Sequence, residues 1–486
     1  MKTLVIIFLF TVGYVSGQDY RQFKILVDSL AGLDLFANSS WSLYAEDIDN
    51  NKTIIDFESN RALAPASCQK LVTTSAGFSL LGKNYKYETK IYYSGVIDNR
   101  GILTGDIHIV GSGDPTLGSG LRDNWIKLDS LMSVWVNALK EKGIKIIEGS
   151  VLANDLYFDN VSVPDNWFWV DIGNYYGTGT SGLTINNNLY YLYFKPADSV
   201  GGKAEVLYTI PEIPNLTFNN FMLTGEKGSG DNGYIYCAPG QFNATLRGTI
   251  PAGVKEFSIK GSIPDPALFA AQYFNKKLSI SGIKITGAPS KIYFPFEYDE
   301  EKKIISTISP ALKDIIFVIN KRSNNIFTEQ LLKTIAKVKT GTGSFEKGIQ
   351  SVMDFLNTNH LPTAGVNLSD GCGLSHANTV TTKLLVKLLG FNYKQDYFPE
   401  FYKSLGIAGD KNDFGYFGKY GENTIIANNA RIKDGYIQNV RSHTGYIKSK
   451  NGRMIAFSFI ANNYNGSSRL VDNAHLKLLI KLANLE

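Results

Sequence analysis

The apolar residues of this chain change their spacing twice, and this change limits the folds that are open to it. Towards both ends, apolar residues recur every three to four positions, as they do on one face of a helix. From Tyr85 to about Ile263, short strand-like runs alternate with glycine-rich turns instead. The pattern predicts a sheet flanked by helices, built from both ends of the chain and interrupted by a long β-rich insertion.

The same spacing places the individual elements. A proline suits the first turn of a helix, where its missing N–H costs nothing, so one helix is expected to open at Pro65. Further helices are expected at 19–35, 267–274, 327–338, 349–357, 382–389 and 470–482, with a hairpin at 41–58 and strands at 315–319 and 454–461.

Charge and cysteine content exclude several classes of protein. The 49 Lys and Arg residues nearly balance the 44 Asp and Glu residues, which argues against a nucleic-acid-binding protein with its concentrated basic patch. Three widely spaced cysteines, Cys68, Cys237 and Cys372, form neither a disulfide framework nor a metal-ligand spacing. The glycine-rich stretch 111–120 lacks the Gly-Lys-Ser/Thr string of a phosphate loop. Together, the cysteine spacing and the missing string mean that neither a metal nor another cofactor is expected.

The first residues are typical of a secretory signal peptide. Lys2 precedes an apolar run over 4–10, and Ser16-Gly17 lead into a polar segment. The run is shorter than the roughly 20 residues of a membrane span, and no later segment is long and apolar enough to be one. We therefore expect cleavage near Gly17 and export to the periplasm or another extracytoplasmic compartment.

The first candidate for chemistry is Ser67-Cys68-Gln69-Lys70 at the start of a predicted helix. Positions i and i+3 lie on one helix face, so a lysine of lowered pKa could remove the serine proton and create a nucleophile. The N–H groups of a helix N-terminus can also stabilise an oxyanion. A second Ser-x-x-Lys at Ser281 and Lys284 lies in a strand-like pattern, where the two side chains point apart, and we interpret it as a chance match.

The second candidate is Ser323-Asn324-Asn325, between a predicted strand and a predicted helix. Ser323 and Asn325 could project into one cleft. Serine and asparagine are also favoured at helix N-termini, so a helix cap is the alternative interpretation, and taken alone the favoured one.

The third candidate is His443-Thr444-Gly445, at the opening of a predicted hairpin. A cation, a hydroxyl and a glycine could hold a substrate carboxylate and let its backbone lie along a strand edge. The competing string Lys339-Thr340-Gly341 follows a predicted helix directly, and we interpret it as the turn that ends that helix.

Ser-x-x-Lys, Ser-x-Asn and a Lys-Thr-Gly-like string, in this order, are the motif set of serine β-lactamases and penicillin-binding proteins. The flanks of these motifs narrow the resemblance: Ala64-Pro65-Ala66 before Ser67, Gly111-Ser112-Gly113-Asp114-Pro115-Thr116-Leu117, Glu329-Gln330-Leu331-Leu332 and Asp370-Gly371-Cys372-Gly373-Leu374-Ser375. Over roughly residues 20–480 the chain resembles the D-alanyl-D-alanine carboxypeptidase/endopeptidase family, the class C low-molecular-mass penicillin-binding proteins.

The resemblance implies an α+β fold, with a β-lactamase/DD-peptidase-like domain of an antiparallel sheet flanked by helices and a large β-rich inserted region. We expect a signal peptide at 1–17, a peptidase domain at 18–84 and 266–486, and an insertion at 85–265 with a nested subdomain at about 189–245.

The resemblance also implies roles for single residues. Ser67 would be the acylated nucleophile, Lys70 its base, Ser323 a proton relay to the leaving D-alanine, and Asn325 a ligand of the substrate amide. His443 and Thr444, beside Gly445, would bind the substrate carboxylate, and the N–H groups of Ser67 and Tyr446 would form the oxyanion hole. Asp171 would contact the diamino acid of the stem peptide; the alternative is that Asp171 is only an acidic residue of a surface turn.

Two departures from the family pattern leave alternatives open. His443 stands where a lysine is usual, and Tyr446 where a threonine is usual; histidine is only partly charged near neutral pH. An exported peptidase that acts on peptidoglycan peptides and binds β-lactams therefore competes with a catalytically impaired wall-binding homologue and with a β-lactamase. The balance between carboxypeptidase and endopeptidase activity and the oligomeric state stay open.

Overall fold

The structure, a computed structural model, describes residues 17–486, so the predicted signal peptide lies outside the described residues except for Gly17. The helices of this part are α1 (Gly17–Ala31), α2 (Lys70–Leu81), α3 (Leu128–Glu141), α4 (Trp169–Ile172), α5 (Pro266–Ile280), α6 (Leu312–Arg322), α7 (Asn325–Thr340), α8 (Phe345–Thr358), α9 (Thr382–Tyr393), α10 (Phe398–Ser404) and α11 (Ser468–Ala483). Within residues 17–486, none of the helices has the length and apolar character that a membrane span requires.

One antiparallel sheet of six strands draws on both ends of the chain. Its first two strands are β1 (Ser40–Asp47) and β2 (Lys52–Phe57), which form the predicted hairpin. The other four are β19 (Gly406–Ile407), β20 (Arg431–Ile437), β21 (Val440–Lys448) and β22 (Met454–Asn462). The order is β19-β20-β21-β22-β1-β2, so β22 pairs with β1 and joins the two ends.

Helices cover both faces of this sheet because successive side chains of a strand point to opposite sides. On one face, Phe457 and Phe459 pack with the apolar residues of α1 and α11. On the other face, Ala456 and Ile460 pack with α2 and α6–α10. The predicted α+β architecture, an antiparallel sheet flanked by helices with a large β-rich insertion, is thus confirmed.

The predicted strand at 315–319 is wrong, because these residues lie within helix α6. Ile315, Ile316, Val318 and Ile319 are all buried, on more than one face of the helix. A short apolar run of this kind does not distinguish a buried helix from a buried strand.

The inserted region contains four smaller sheets. Two of them are built from β3 (Glu88–Tyr93), β4 (Val96–Ile97), β5 (Ile102–Thr104), β6 (Ile107–Val110), β7 (Ile146–Glu148), β8 (Val151–Asn154), β16 (Lys284–Ile285), β17 (Ser290–Lys291) and β18 (Lys303–Ile308). The other two are built from β9 (Leu189–Lys195), β10 (Glu205–Ile210), β11 (Thr217–Asn220), β12 (Leu223–Gly225), β13 (Asn232–Tyr236), β14 (Asn243–Pro251) and β15 (Phe257–Ser262).

Elements beyond residue 265 also pack with the insertion. Helix α5 contributes Phe274 to the same apolar core as Trp135 of α3, with the two rings edge to face at 5.4 Å. Strand β18 pairs antiparallel with β3. Strands β16 and β17 likewise pair with β7 and β8, and the division at 265 and the nested unit at about 189–245 stay predictions.

Candidate active site

Ser67 lies where the chain enters helix α2. It is the second residue of the one-turn 3-10 helix Ala66–Gln69, and Ala66 before it has a left-handed φ of +46°. Non-glycine residues rarely adopt this conformation, and such strain tends to persist at functional sites. As the second residue of a helical turn, Ser67 has a backbone N–H without an intrahelical partner, free to meet a ligand.

Strand β20 approaches Ser67 closely because Gly435 has no side chain. A Cβ at Gly435 would lie 2.8 Å from Ser67 N and 2.5 Å from Pro65 O, closer than real Cβ contacts. This glycine therefore allows the edge of strand β20 to lie directly beside the Ser67 N–H.

Lys70 is fully buried beside Ser67. Its Nζ donates to Ser67 Oγ at 3.0 Å, to Asn325 Oδ1 at 2.6 Å and to the Cys372 carbonyl at 2.8 Å. Burial disfavours the charged form and lowers the pKa of Lys70 to about 8. An appreciable fraction of Lys70 is therefore neutral near pH 7, as a base for Ser67 requires.

Ser323 and Asn325 lie at the junction of α6 and α7, opposite Lys70. Ser323 ends α6 in the left-handed conformation, with φ +53°. Asn324 caps α7 by accepting from the Phe327 N–H at 3.0 Å, while Asn325 donates to the Tyr176 carbonyl at 2.7 Å. The segment thus both caps a helix and supplies two side chains to the site.

Lys433 of β20 is the cation that the sequence analysis missed. Its buried Nζ donates to Ser323 Oγ at 3.0 Å and to the carbonyl of Asp434 at 2.6 Å. The string is Lys433-Asp434-Gly435, so a search for Lys-Thr-Gly passes over it, whereas Lys-x-Gly on a predicted strand would have found it.

The structure does not bring the His443 side chain into the site. Its ring lies on the other face of the sheet, with Nδ1 2.9 Å from His475 Nδ1 and the ring stacked on Tyr420. Burial holds the pKa of His443 well below its usual range, so the ring is neutral. The predicted carboxylate-binding role of His443 therefore has no support in its position; the buried cation beside Ser323 is Lys433.

The three residues after His443 also belong to the sheet. Thr444 Oγ1 lies 2.8 Å from Ser458 Oγ, and the buried Tyr446 donates its hydroxyl to the Leu389 carbonyl at 2.9 Å. Strand β21, including Gly445, is paired on both sides, with β20 and with β22. An oxyanion hole at the Tyr446 N–H is therefore disfavoured, since that residue lies inside the sheet.

Asp171 of α4 lies at the margin of the site. Burial raises the pKa of Asp171, while Tyr176 and His376 act to lower it. Tyr176 is the residue whose carbonyl holds Asn325, so the insertion contributes to the site here. The contact of Asp171 with a diamino acid stays a prediction.

Glu329 of α7 positions the loop that contacts Lys70. Its carboxylate accepts from the Gly371 N–H at 3.0 Å and from the Cys372 N–H at 2.6 Å, and Cys372 in turn offers its carbonyl to Lys70. Burial raises the pKa of Glu329 to about 8. No local motif marks this role, because 43 residues separate Glu329 from Cys372 along the chain.

Glu329, Asp370 and Cys372 also bring three potential metal-ligand atoms within 4.8 Å of one another. The carboxylate oxygens of Glu329 already accept backbone N–H groups, and those of Asp370 accept from Gly373, Ser375, Trp167 and Asn378. Such donors point positive charge at the place a cation would take, so the cluster fits a loop anchor better than a metal centre.

Comparison with known proteins gives a consistent picture. A family model described as D-Ala-D-Ala carboxypeptidase 3 (S13) matches residues 26–480. A D-alanyl-D-alanine carboxypeptidase of Actinomadura sp. (strain R39) is 27% identical over 416 residues, which cover 84% of this chain and 75% of the relative. The D-alanyl-D-alanine carboxypeptidase DacB of Haemophilus influenzae is 23% identical over 433 residues, covering 88% and 86%.

Solved structures share the fold. The crystal structure of penicillin binding protein 4 (dacB) from Haemophilus influenzae matches with a TM-score of 0.82 at 21% identity, covering 94% of this chain and 99% of that one. The same protein in complex with a β-lactam matches with a TM-score of 0.75.

Proposed function

Because the chain belongs to the D-Ala-D-Ala carboxypeptidase 3 (S13) family, we propose that it is a serine-type peptidase that acts on peptidoglycan stem peptides through an acyl-enzyme on Ser67. It would remove terminal D-alanine and cleave cross-links. The pairing of two serine hydroxyls with two buried lysines carries the proposal: Ser67 Oγ accepts from Lys70 at 3.0 Å, and Ser323 Oγ accepts from Lys433 at 3.0 Å.

The geometry supports a two-step reaction. Neutral Lys70 takes the Ser67 proton as Oγ attacks the carbonyl carbon, and the Ser67 N–H and the edge of β20 at Gly435 face the oxyanion that forms. The C–N bond then breaks, and the leaving amine receives a proton through Ser323, whose hydroxyl Lys433 holds. Water hydrolyses the resulting ester and regenerates Ser67.

The proposed export and β-lactam binding rest on separate observations. The predicted signal peptide at 1–17 supports export. The related penicillin binding protein 4 has been solved with a β-lactam, and we propose that such compounds acylate Ser67 here. The hypothesis of an impaired homologue rested on His443 in place of a lysine and on Tyr446 in place of a threonine. Lys433 supplies a lysine beside Ser323, which weakens the first of these reasons.

Two peptides test the proposed activity. A stem pentapeptide ending in D-Ala-D-Ala should release D-alanine, and a cross-linked dimer should yield two monomers, both reactions being lost in Ser67→Ala. Absence of product from both peptides with the folded protein would contradict the proposal.

The acylation rate should rise with pH. Only neutral Lys70 can accept the Ser67 proton, and with a pKa of about 8 its neutral fraction is about a tenth at pH 7 and one half at pH 8. Stopped-flow acylation by a chromogenic penicillin should therefore speed up about fivefold between pH 7 and pH 8. A rate that falls as pH rises from 6 to 7 would instead indicate a protonated histidine in the site.

A further inference from the structure

A cavity beside the proposed relay residue Ser323, called the Arg322 cavity from here on, is lined by both parts of the chain. It has a volume of about 310 Å³ and is bordered by Ser323 and Asn325. Its other walls combine the insertion and the peptidase domain, and they include Tyr175, Lys260, Arg322, Phe414 and Tyr416. This volume is at the lower end of small-molecule sites and exceeds what a single alanine needs.

Two cations border this cavity, and within residues 17–486 neither forms an ion pair with a carboxylate. The guanidinium of Arg322 lies 4.1 Å from the ring centre of Phe414 and 5.1 Å from that of Tyr416, and it makes no ion pair within residues 17–486. Lys260 Nζ lies 5.5 Å from the ring centre of Tyr175. No acidic residue of the described chain lines the cavity. The carboxylate of Asp231 acts on Lys260 electrostatically but lies outside the lining.

The position of the cavity indicates which part of a substrate would enter it. Another cavity, bordered by Ala64, Phe168 and His376, does not include Ser323 in its lining. In the proposed mechanism Ser323 passes a proton to the leaving amine, so the atoms attached to that amine would lie beside Ser323, which borders the Arg322 cavity.

The carboxylate of Asp434, beside Lys433, is already paired with other cations. Burial opposes ionisation of Asp434, but the charges of Lys433 and Arg441 outweigh it and hold its pKa well below the usual range. Asp434 Oδ2 accepts from Arg441 at 2.9 Å, so this carboxylate already has a cationic partner.

We propose that the Arg322 cavity binds a carboxylate-bearing peptide on the leaving-group side of the scissile bond, as a cross-linked second stem would supply. The proposal rests on the proposed function. The guanidinium of Arg322 packs over the rings of Phe414 and Tyr416, which hold it in place for a planar carboxylate, and Lys260 adds a second positive charge from the insertion.

The test combines a change in the substrate with a change in the protein. Cross-linked dimers are compared whose leaving stem carries either free or amidated carboxylates, with wild type, Arg322→Gln and Lys260→Gln. Amidation should lower kcat/KM about tenfold for wild type, since one charge-assisted contact of about 1.4 kcal/mol corresponds to this factor. For the two variants, amidation should lower kcat/KM less than about threefold. Arg100→Gln, a charge removal on an exposed turn of the insertion, should behave like wild type.

Equal amidation effects in wild type and variants, or none in wild type, would overturn the proposal. So would a wild-type protein that releases D-alanine from the pentapeptide but leaves the dimer intact. Failure of the proposed function is distinguishable, because wild type would then release no D-alanine and form no penicillin adduct. Formation of the penicillin adduct by each variant shows that the variant is folded. Because Lys260 is exposed, Lys260→Gln should have little effect on folding.

Discussion

Lys70→Met is expected to slow acylation of Ser67 by about 10²–10⁴-fold, the range for removal of a general base. Within the described residues, the hydrogen bond to Ser67 Oγ comes from Lys70 Nζ. Methionine keeps the length of the side chain but cannot accept a proton. The rate of labelling by a fluorescent penicillin measures the effect.

Lys333→Met provides a matched control. Lys333 is also buried on a neighbouring helix, but its Nζ binds Asp159 and the Val161 carbonyl rather than the reacting serine. This variant should lose stability because Asp159 loses its partner, while its folded fraction acylates within about threefold of wild type. Equal slowing in both variants would show that loss of a buried charge, and not of a base, causes the effect.

Lys433→Ala is expected to lower kcat/KM for D-alanine release by about 10²–10³-fold, as when one preorganised donor is removed from an active site. Lys433 holds Ser323 Oγ and also lies 3.3 Å from an Asp434 carboxylate oxygen. Its loss would leave the hydroxyl of Ser323, the proposed proton relay, unpositioned. Steady-state kinetics with a stem pentapeptide measure the effect.

His443→Asn separates the two candidate cations. The ring of His443 packs against His475 and Tyr420 on the far face of the sheet. The variant should therefore have a lower Tm than wild type but a kcat/KM within about threefold of it. A loss in His443→Asn as large as that in Lys433→Ala would contradict the assignment of Lys433.

The sequence was sufficient for the parts of the site that depend on local spacing. Ser67 and Lys70 share one helical face, and Ser323 and Asn325 flank a helix start, so their positions follow from the chain nearby. The turn Lys339-Thr340-Gly341 was also predicted correctly, since Gly341 ends α7 in the left-handed conformation.

The position of the third motif, for which His443-Thr444-Gly445 was the candidate, depends on the order of the strands in the sheet, and the sequence does not reveal this order. His443 and Asp434 are directly opposite each other on adjacent strands, so the predicted motif is one strand away from the one that borders the site. Strand β20 lies next to the site because β19, its outer neighbour, spans only Gly406–Ile407 and leaves the edge at Gly435 open. Which strand borders the site therefore depends on the tertiary structure and could not be predicted from the local sequence.

The central claim is that Ser67 is the acylated nucleophile. Intact mass spectrometry after incubation with a penicillin, followed by peptide mapping, tests it most directly. The account predicts one adduct per chain on the peptide that contains Ser67, and none in Ser67→Ala. A folded wild-type protein without an adduct, or with the label on Ser281 of the second Ser-x-x-Lys string, would contradict it.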